Sequence, residues 1–260
     1  MGELDNKCAI VAGGSGDIGS AIALRLAELG ANLSLAGRTP AKLDAVAARI
    51  KQATGRRVLA APYDLRQGGA AATLVDRTLA EFGRIDIVVT CAGDFKRGTV
   101  VSTPRDDWED GFALMFHGAV GLISAAWPHL KAVGGHVVVI SGLHGVEPHG
   151  ESIIGGAICA ALLNFAKAAS QTGRRDGVSV NCVVAGYLQG RRLNGMLDKL
   201  SSDQGVARDQ AEQVFAKQLG LRRLGTPQDV ANVVELMVSS KGSYLQGSSI
   251  VIDGGVTHAV

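Results

Sequence analysis

The chain has 260 residues, a length that allows one large domain without requiring a second. Apolar residues make up 47%, which provides a substantial core and excludes a disordered chain. The 26 basic and 24 acidic residues give a net charge of +2, which argues against a nucleic-acid-binding surface, since such surfaces carry a basic excess.

Cysteine usage and apolar runs indicate the compartment. The four cysteines lie far apart without a CxxC motif, which favours a reducing cytosol over a disulfide scaffold. No run approaches the roughly 18 apolar residues of a membrane span. The start, Met1 to Lys7, has no signal-peptide pattern. We therefore expect a cytoplasmic protein with no membrane contact.

Short apolar runs alternate with helical stretches along the chain. The first run leads through a glycine-rich turn into a predicted helix that ends at Gly30, and further helices are predicted from Pro40 to about Thr54 and over Ala70–Phe82. The predicted strands are Cys8–Ala12, Asn32–Ala36, Arg57–Ala61, Ile85–Thr90, Val137–Ile140, Val178–Val184 and Ser249–Ile252.

Three helices share one start signal, a threonine followed by proline. Thr39-Pro40, Thr103-Pro104 and Thr226-Pro227 each place a capping hydroxyl before a residue suited to the first helical position. The alternation of strands and helices predicts a parallel sheet covered on both faces. Since no repeat, low-complexity segment or linker interrupts it, we expect a single α/β domain over residues 1–260.

The glycine-rich turn Ala12-Gly13-Gly14-Ser15-Gly16-Asp17-Ile18-Gly19 lies between the first strand and the first helix. Glycines there let the backbone approach a pyrophosphate, whose charge faces the helix amino terminus. A purely structural turn is the alternative. The strand-turn-helix context favours phosphate binding.

Further motifs extend to the carboxyl end of the chain. They are Asp64, Ala92-Gly93, Pro128-His129, Asn181 with Ala185-Gly186, Gly225-Thr226-Pro227 and Asp253-Gly254-Gly255. Together with the glycine-rich turn they resemble the short-chain dehydrogenase/reductase family, and the resemblance runs essentially end to end.

The resemblance implies a Rossmann-type, doubly wound, seven-stranded parallel sheet and a nicotinamide cofactor. It also implies a homotetramer or dimer, with pairing to an active relative as an alternative, and a variable lid at about residues 190–219. The small-molecule ligand stays unidentified. The predicted cofactor-binding residues are Gly13, Ser15, Asp17, Ile18, Gly19, Arg38, Asp64, Leu65, Ala92 and Gly93.

Two positions bear on how the cofactor binds. Gly37 stands where NAD-preferring relatives carry an acid, and the Arg38 that follows suits a 2′-phosphate. We therefore expect NADP(H) rather than NAD(H), with no bound nucleotide as the alternative. Asp17 replaces a glycine of the phosphate turn, where it would weaken binding or cap the helix; we favour capping. Gly190 replaces a threonine that commonly holds the nicotinamide side.

The resemblance implies four catalytic side chains in this family. A tyrosine donates the proton, a lysine lowers the pKa of that tyrosine, a serine polarises the carbonyl and an asparagine holds a water. Alignment of the flanking residues places the tyrosine at Gly155 and the lysine at Cys159. It places the serine at Gly142 and the asparagine at Met115. Because all four side chains are lost, ordinary carbonyl reduction is not expected and the catalytic residues stay unassigned. Loss of the tyrosine ring predicts an enlarged, less polar pocket with Met115 on its wall.

Three other side chains are candidates to replace the tyrosine as proton donor. His144, His149 and Tyr187 follow strands near the pocket. The alternative for His144 is a loop histidine with no catalytic role. The histidines have no third partner that would indicate a metal site. Cys159 is predicted to be a small core residue rather than a nucleophile, and Ser141 a strand residue that faces elsewhere.

Three functions stay open on this sequence. The first is an oxidoreductase that uses another proton donor, such as His144, Tyr187 or a water. The second is a pseudoenzyme that keeps the fold and binds a ligand or regulates a partner. The third is a non-redox cyclase, lyase or isomerase that uses the enlarged pocket.

Overall fold

A parallel sheet with helices on both faces organises the chain, as the alternating pattern predicted. The computed structural model describes residues 2–93 and 95–258. Within them the strand order is β3-β2-β1-β4-β5-β6-β7, a doubly wound arrangement. The strands are β1 Cys8–Ala12, β2 Asn32–Gly37, β3 Val58–Pro62, β4 Ile87–Thr90, β5 His136–Gly142, β6 Ser179–Ala185 and β7 Ser249–Ile252.

Helices fill the connections between the strands. Their bounds are α1 Asp17–Glu28, α2 Pro40–Thr54, α3 Ala70–Phe82, α4 Arg105–Phe112, α5 Gly118–Val133, α6 Ile153–Asp176, α7 Arg191–Gln204, α8 Arg208–Gln218 and α9 Pro227–Val238. A π-helical turn over Ala113–His117 joins α4 to α5, and a 3₁₀ turn over Leu143–Gly145 follows β5. The predicted strands and the three bounded helices are confirmed to within two residues, with β5 longer than expected.

The core has one layer on each face of the sheet. Every residue of β1 is buried, with Ala9 and Val11 in the layer that holds α1, α2 and α9, and Ile10 and Ala12 in the layer that holds α3, α5 and α6. This division follows from the two-residue period of a strand. A third, smaller cluster joins α7 to α8 through Leu193, Leu197, Ala216 and Leu224, so the predicted lid forms a packed unit.

The shared Thr-Pro start signal holds in full at one of its three positions. Thr226 caps α9 by accepting a bond from the Asp229 amide. At Thr39 only the helix start is confirmed, since α2 begins at Pro40 but the Thr39 side chain makes no capping bond. The expectation at Thr103 is wrong, since α4 begins at Arg105 and the Thr103 hydroxyl donates to the Thr99 carbonyl. That local bond competes with capping.

Two helical stretches, Arg105–Val133 and Ile153–Asp176, are long and apolar enough to cross a membrane by length and composition alone. A helix packed on a sheet meets the same criterion. Both stretches contribute buried side chains to the second core layer, including Leu122 and Ile158. Their apolar character is therefore accounted for in part by packing.

Candidate active site

All ten predicted cofactor-binding residues lie along one edge of the sheet, where the parallel strands end. The edge includes the switch point between β1 and β4, from which the chain order runs in opposite directions. Open α/β sheets bind ligands in the crevice at such a point. Around it lie Gly13, Ser15, Asp17, Ile18 and Gly19 after β1, Arg38 after β2, Asp64 and Leu65 after β3, and Ala92 and Gly93 after β4.

The glycine-rich turn depends on close backbone contacts. Gly13 has a φ of 79°, and a Cβ added to it would lie 2.7 Å from the Ala92 amide nitrogen. A Cβ at Gly19 would overlap the Gly13 carbonyl oxygen. The turn leads into α1, whose first-turn amides at Asp17, Ile18 and Gly19 have no partners within their helix. This geometry fits a bound pyrophosphate, because those amides form an anion site at the helix amino terminus.

Asp17 does not cap its own helix, which corrects the favoured prediction. Gly16 is the capping residue of α1, and no side chain caps it. The Asp17 carboxylate accepts a 2.8 Å bond from the Arg191 amide and lies 3.3 Å from the Arg191 guanidinium, at the first residue of α7. Asp17 therefore holds the start of α7 against the glycine-rich turn, and its negative charge is stabilised by the Arg191 amide at the amino terminus of that helix.

Gly190 explains how the acid at position 17 is accommodated. Gly190 has a φ of 142°, and a Cβ added there would lie 2.6 Å from Asp17 Oδ2. A larger side chain at position 190 would therefore displace the carboxylate. The two departures from the family pattern, at positions 17 and 190, are physically complementary.

Charged side chains gather at the far end of the predicted nucleotide site. Arg66 bonds to Asp64 in bidentate fashion and reaches Asp110 as well. It holds the pKa of the Asp64 carboxyl below its usual range, and the charge of the exposed Arg38 acts in the same direction. A Cβ added at Gly37 would lie 3.2 Å from Ser15 Oγ, so an acid at that position would have little room. Leu65 lines the inner wall with Ala92 and Met115.

The positions assigned to the serine and lysine lie side by side. A Cβ added at Gly142 would lie 3.3 Å from Cys159 Sγ. Cys159 is buried, and burial raises the pKa of its thiol, so the group stays neutral near pH 7. The Ser141 hydroxyl donates to the Cys159 carbonyl at 3.1 Å, so Ser141 lies beside this pair of positions and does not face elsewhere as predicted. The burial of Cys159 agrees with its interpretation as a core residue.

The expected enlarged pocket at Gly155 is filled, which is the main correction at this site. The Phe95 ring packs directly on Gly155, so a Cβ added there would overlap ring carbons Cζ and Cε2. Met115 does line a cavity, but that cavity has room for about one water, and its wall is apolar except for the Thr90 side chain. Sequence reasoning missed Phe95 because its contact with Gly155 joins a loop to the first turn of α6, 60 residues apart along the chain.

Two histidines and a tyrosine form a cluster after β5 and β6. The His144 ring centroid lies 5.3 Å from that of His149 and 6.4 Å from that of Tyr187, which meets it edge-on. His149 Nδ1 accepts a bond from the Glu151 amide at 3.2 Å, so its proton resides on Nε2. The structure thus brings together the three groups that the sequence offered as separate candidates.

The environment of His144 keeps its imidazole neutral. Partial burial is the main cause that lowers its pKa, and the charges of His149 and Arg97 act in the same direction. The Glu147 backbone and carboxylate oppose this shift more weakly. A neutral imidazole accepts a proton readily. It can serve as a general acid only after it has been protonated, at a pH below its pKa.

Comparison with known proteins places this geometry in a family. Residues 12–257 match the family described as enoyl-(acyl carrier protein) reductase. An uncharacterized oxidoreductase of Mycobacterium tuberculosis is 34% identical over 260 residues, which cover 99% of this chain and 94% of that relative.

Two solved structures share the whole fold. L-sorbose reductase from Gluconobacter frateurii, complexed with NADPH and L-sorbose, has a TM-score of 0.94 and 27% identity, covering 100% of this chain and 99% of that chain. A short-chain dehydrogenase from Burkholderia cenocepacia in complex with NADP has a TM-score of 0.86 and 29% identity, covering 98% and 99%. Both similarities extend over the entire sheet and its helices.

Proposed function

Because the chain belongs to the short-chain dehydrogenase/reductase family, we propose that it is an NADP(H)-dependent oxidoreductase in which His144 exchanges the substrate proton. The observation that carries this proposal is the cluster of His144, His149 and Tyr187 at the sheet edge where the family's reaction occurs. Since Met115, Gly142, Gly155 and Cys159 stand at the positions of the family's four catalytic side chains, an active enzyme would need such a replacement.

The residues present fit a nicotinamide dinucleotide. The first-turn amides of α1 would hold the pyrophosphate, Asp64 and Leu65 the adenine, and Ala92 and Gly93 the middle of the molecule. Arg38 would bind a 2′-phosphate. Position 37 is a glycine with little room for a larger side chain, so no carboxylate there repels that phosphate. When bound, the cofactor supplies a hydride to a carbonyl carbon or accepts one from an alcohol carbon.

His144 supplies the accompanying proton to the carbonyl oxygen, or removes it from the hydroxyl in the reverse direction. Each reduction therefore consumes one carbonyl compound, one reduced cofactor and one proton, and yields an alcohol and the oxidised cofactor. The Tyr187 ring packs edge-on against His144 and Phe215, which fixes the side of the imidazole that faces the pocket. The exposed His149 ring lies tilted against His144, with their centroids 5.3 Å apart, and restores the proton from the solvent side.

The Phe95 ring fills the space beside Gly155, which favours a redox reaction over a non-redox cyclase, lyase or isomerase that would use an enlarged pocket. A cyclase or lyase acting in an enlarged pocket would need the space that the Phe95 ring fills. A cytosolic homotetramer or dimer is the assembly we propose. All four cysteines are free thiols, which suits a reducing compartment.

The proposal is tested by NADPH fluorescence titration followed by turnover with a panel of carbonyl compounds. We expect NADPH to bind more tightly than NADH and at least one carbonyl to be reduced. His144→Asn should lower that rate about a hundredfold, the usual contribution of a general acid. His129→Asn, a change of the same type on α5 away from the edge, serves as the matched control.

Each contrary result points to a different error. NADPH binding without turnover of any carbonyl would indicate a pseudoenzyme. Equal rates for His144→Asn and the parent protein would mean that another group supplies the proton. Failure of both nucleotides to bind at millimolar concentration would refute the oxidoreductase itself.

A further inference from the structure

Arg192 extends over the reaction region from the second residue of the lid helix α7. Its guanidinium carbon lies 4.8 Å from the centroid of the Phe95 ring, which in turn packs on Gly155. Its Nη2 donates to the Gly93 carbonyl at 3.3 Å, at the end of the turn after β4. The cation is thus held beside the position that the family's tyrosine ring would occupy.

The charge of Arg192 has no carboxylate partner within residues 2–93 and 95–258. Its neighbour along the chain, Arg191, pairs with Asp17, and Arg97 pairs with Glu151 at 3.5 Å. The Arg192 charge reaches Cys159, since it opposes the burial that raises the pKa of that thiol. The site that lost a lysine therefore still has a cation facing it, delivered from the lid.

Phe95 gives this cation a fixed orientation. The N–H donors of a guanidinium lie in the plane of the group, so a guanidinium stacked on an aromatic ring directs them outward beyond the ring. Those donor groups match the two oxygens of a carboxylate in a bidentate pair. A single guanidinium carries one charge, which suits a carboxylate better than a doubly charged phosphate.

His144 lies near the same end of α6 as the Phe95 ring on which Arg192 stacks. Phe95 contacts Gly155, and the backbone carbonyl of His144 lies 3.0 Å from a Cβ added at the next residue, Gly156. Both glycines belong to the first turn of α6. The proposed proton-exchanging residue and the Arg192–Phe95 pair therefore both adjoin the start of this helix.

We propose that Arg192 binds the carboxylate of the substrate, and that the protein acts on oxo acids and the matching hydroxy acids. This proposal rests on the proposed oxidoreductase function, with His144 as the proton-exchanging group. Arg192 determines specificity by selecting anionic carbonyl compounds over neutral ones of the same shape.

Binding to the NADP⁺ complex tests this assignment without hydride transfer, because cofactor and ketone are both oxidised. Calorimetry would compare pyruvate with methyl pyruvate and acetoacetate with methyl acetoacetate. We expect one acid to bind about tenfold or more tightly than its ester, the range for a charged hydrogen-bonded pair. Arg192→Gln should remove that preference, and Arg192→Lys should keep part of it.

Controls separate the assignment from the proposed function. Lys199→Gln removes one exposed positive charge from the same helix and should leave the preference unchanged. The titrations are repeated without nucleotide, so that acid binding is measured even if NADP⁺ does not bind. If the protein binds the acids more tightly than the esters but turns over no substrate, the oxidoreductase proposal is refuted and the carboxylate site at Arg192 is retained.

Two results would overturn the assignment. One is equal binding of acid and ester in both pairs to the parent protein. The other is a loss of NADP⁺ affinity in Arg192→Gln with an unchanged acid preference, which would assign the guanidinium to a cofactor phosphate. Circular dichroism of each variant identifies any loss that arises from misfolding.

Discussion

The turn after β1 and the turn after β5 lie on one edge of the same sheet, yet they depend on the sequence in different ways. The first presents backbone amides and glycines, and its shape depends on the close contacts that Gly13 and Gly19 allow. In the function that we propose, the second would act through side chains, and Gly142 and Gly155 provide none. A site built from the backbone tolerates changes of side chain that would remove a site built from side chains.

The largest expected effect is at the backbone site. Gly19→Ala places a methyl group against the Gly13 carbonyl oxygen and should lower the free energy of unfolding by about 3 kcal/mol, with loss of NADPH binding. Urea unfolding and fluorescence titration measure the two effects. Gly121→Ala, where the added carbon has an ordinary 3.8 Å contact, is the matched control and should fold normally. Normal nucleotide binding by Gly19→Ala would contradict the role of the turn.

The next effect concerns the side-chain site. Gly155→Tyr should destabilise the protein by about 2 kcal/mol, because the new side chain overlaps the Phe95 ring. Combining it with Phe95→Ala should recover most of the loss, as a double-mutant cycle in urea would show. Restoring the family's residues with Gly142→Ser, Gly155→Tyr and Cys159→Lys therefore needs the Phe95 change as well. Additive losses in the cycle would mean that the two positions do not compete for the same space.

Prediction from sequence succeeded where the signal is local. Strand and helix positions follow from short apolar runs and their periodicity, and the tight turn between β1 and α1 follows from adjacent glycines. Phe95 on Gly155, and Asp17 on Arg191, join segments that are distant along the chain. No local pattern reveals such contacts, so the filled pocket and the tethered lid required the fold. The sequence indicates His144, His149 and Tyr187 only as separate candidates. Their contact depends on the ends of β5 and β6 being adjacent in the sheet.

A smaller effect is expected at the adenosine end of the cleft. Arg38→Ala should weaken NADPH binding about tenfold and leave NADH binding nearly unchanged, because only NADPH carries the 2′-phosphate. Fluorescence titration with both nucleotides measures the ratio. Equal losses for the two would show that Arg38 does not distinguish them.

The smallest effect is expected at the junction between the phosphate turn and the lid. Asp17→Asn keeps an oxygen that accepts the Arg191 amide but removes the negative charge at the amino terminus of α1. NADPH affinity should rise about two- to fivefold, since a charge at a helix terminus contributes about 0.3–1 kcal/mol. Asp44→Asn on the exposed face of α2 should change nothing. Weaker NADPH binding by Asp17→Asn would indicate that the ion pair with Arg191 is needed to form the cleft.

The function that we propose combines a nucleotide site after β1 with His144 as the proton-exchanging group. Single-turnover oxidation of bound NADPH by the best carbonyl substrate, followed between about pH 5 and pH 8, tests it most directly. Reduction needs the protonated imidazole, and burial places its pKa below the ordinary value of 6.5. The rate should therefore rise as the pH falls and level off below the pKa of the folded protein, whereas His144→Asn should be slow and lack this dependence. A parent rate that does not change with pH, or a variant with the same profile, would contradict the claim.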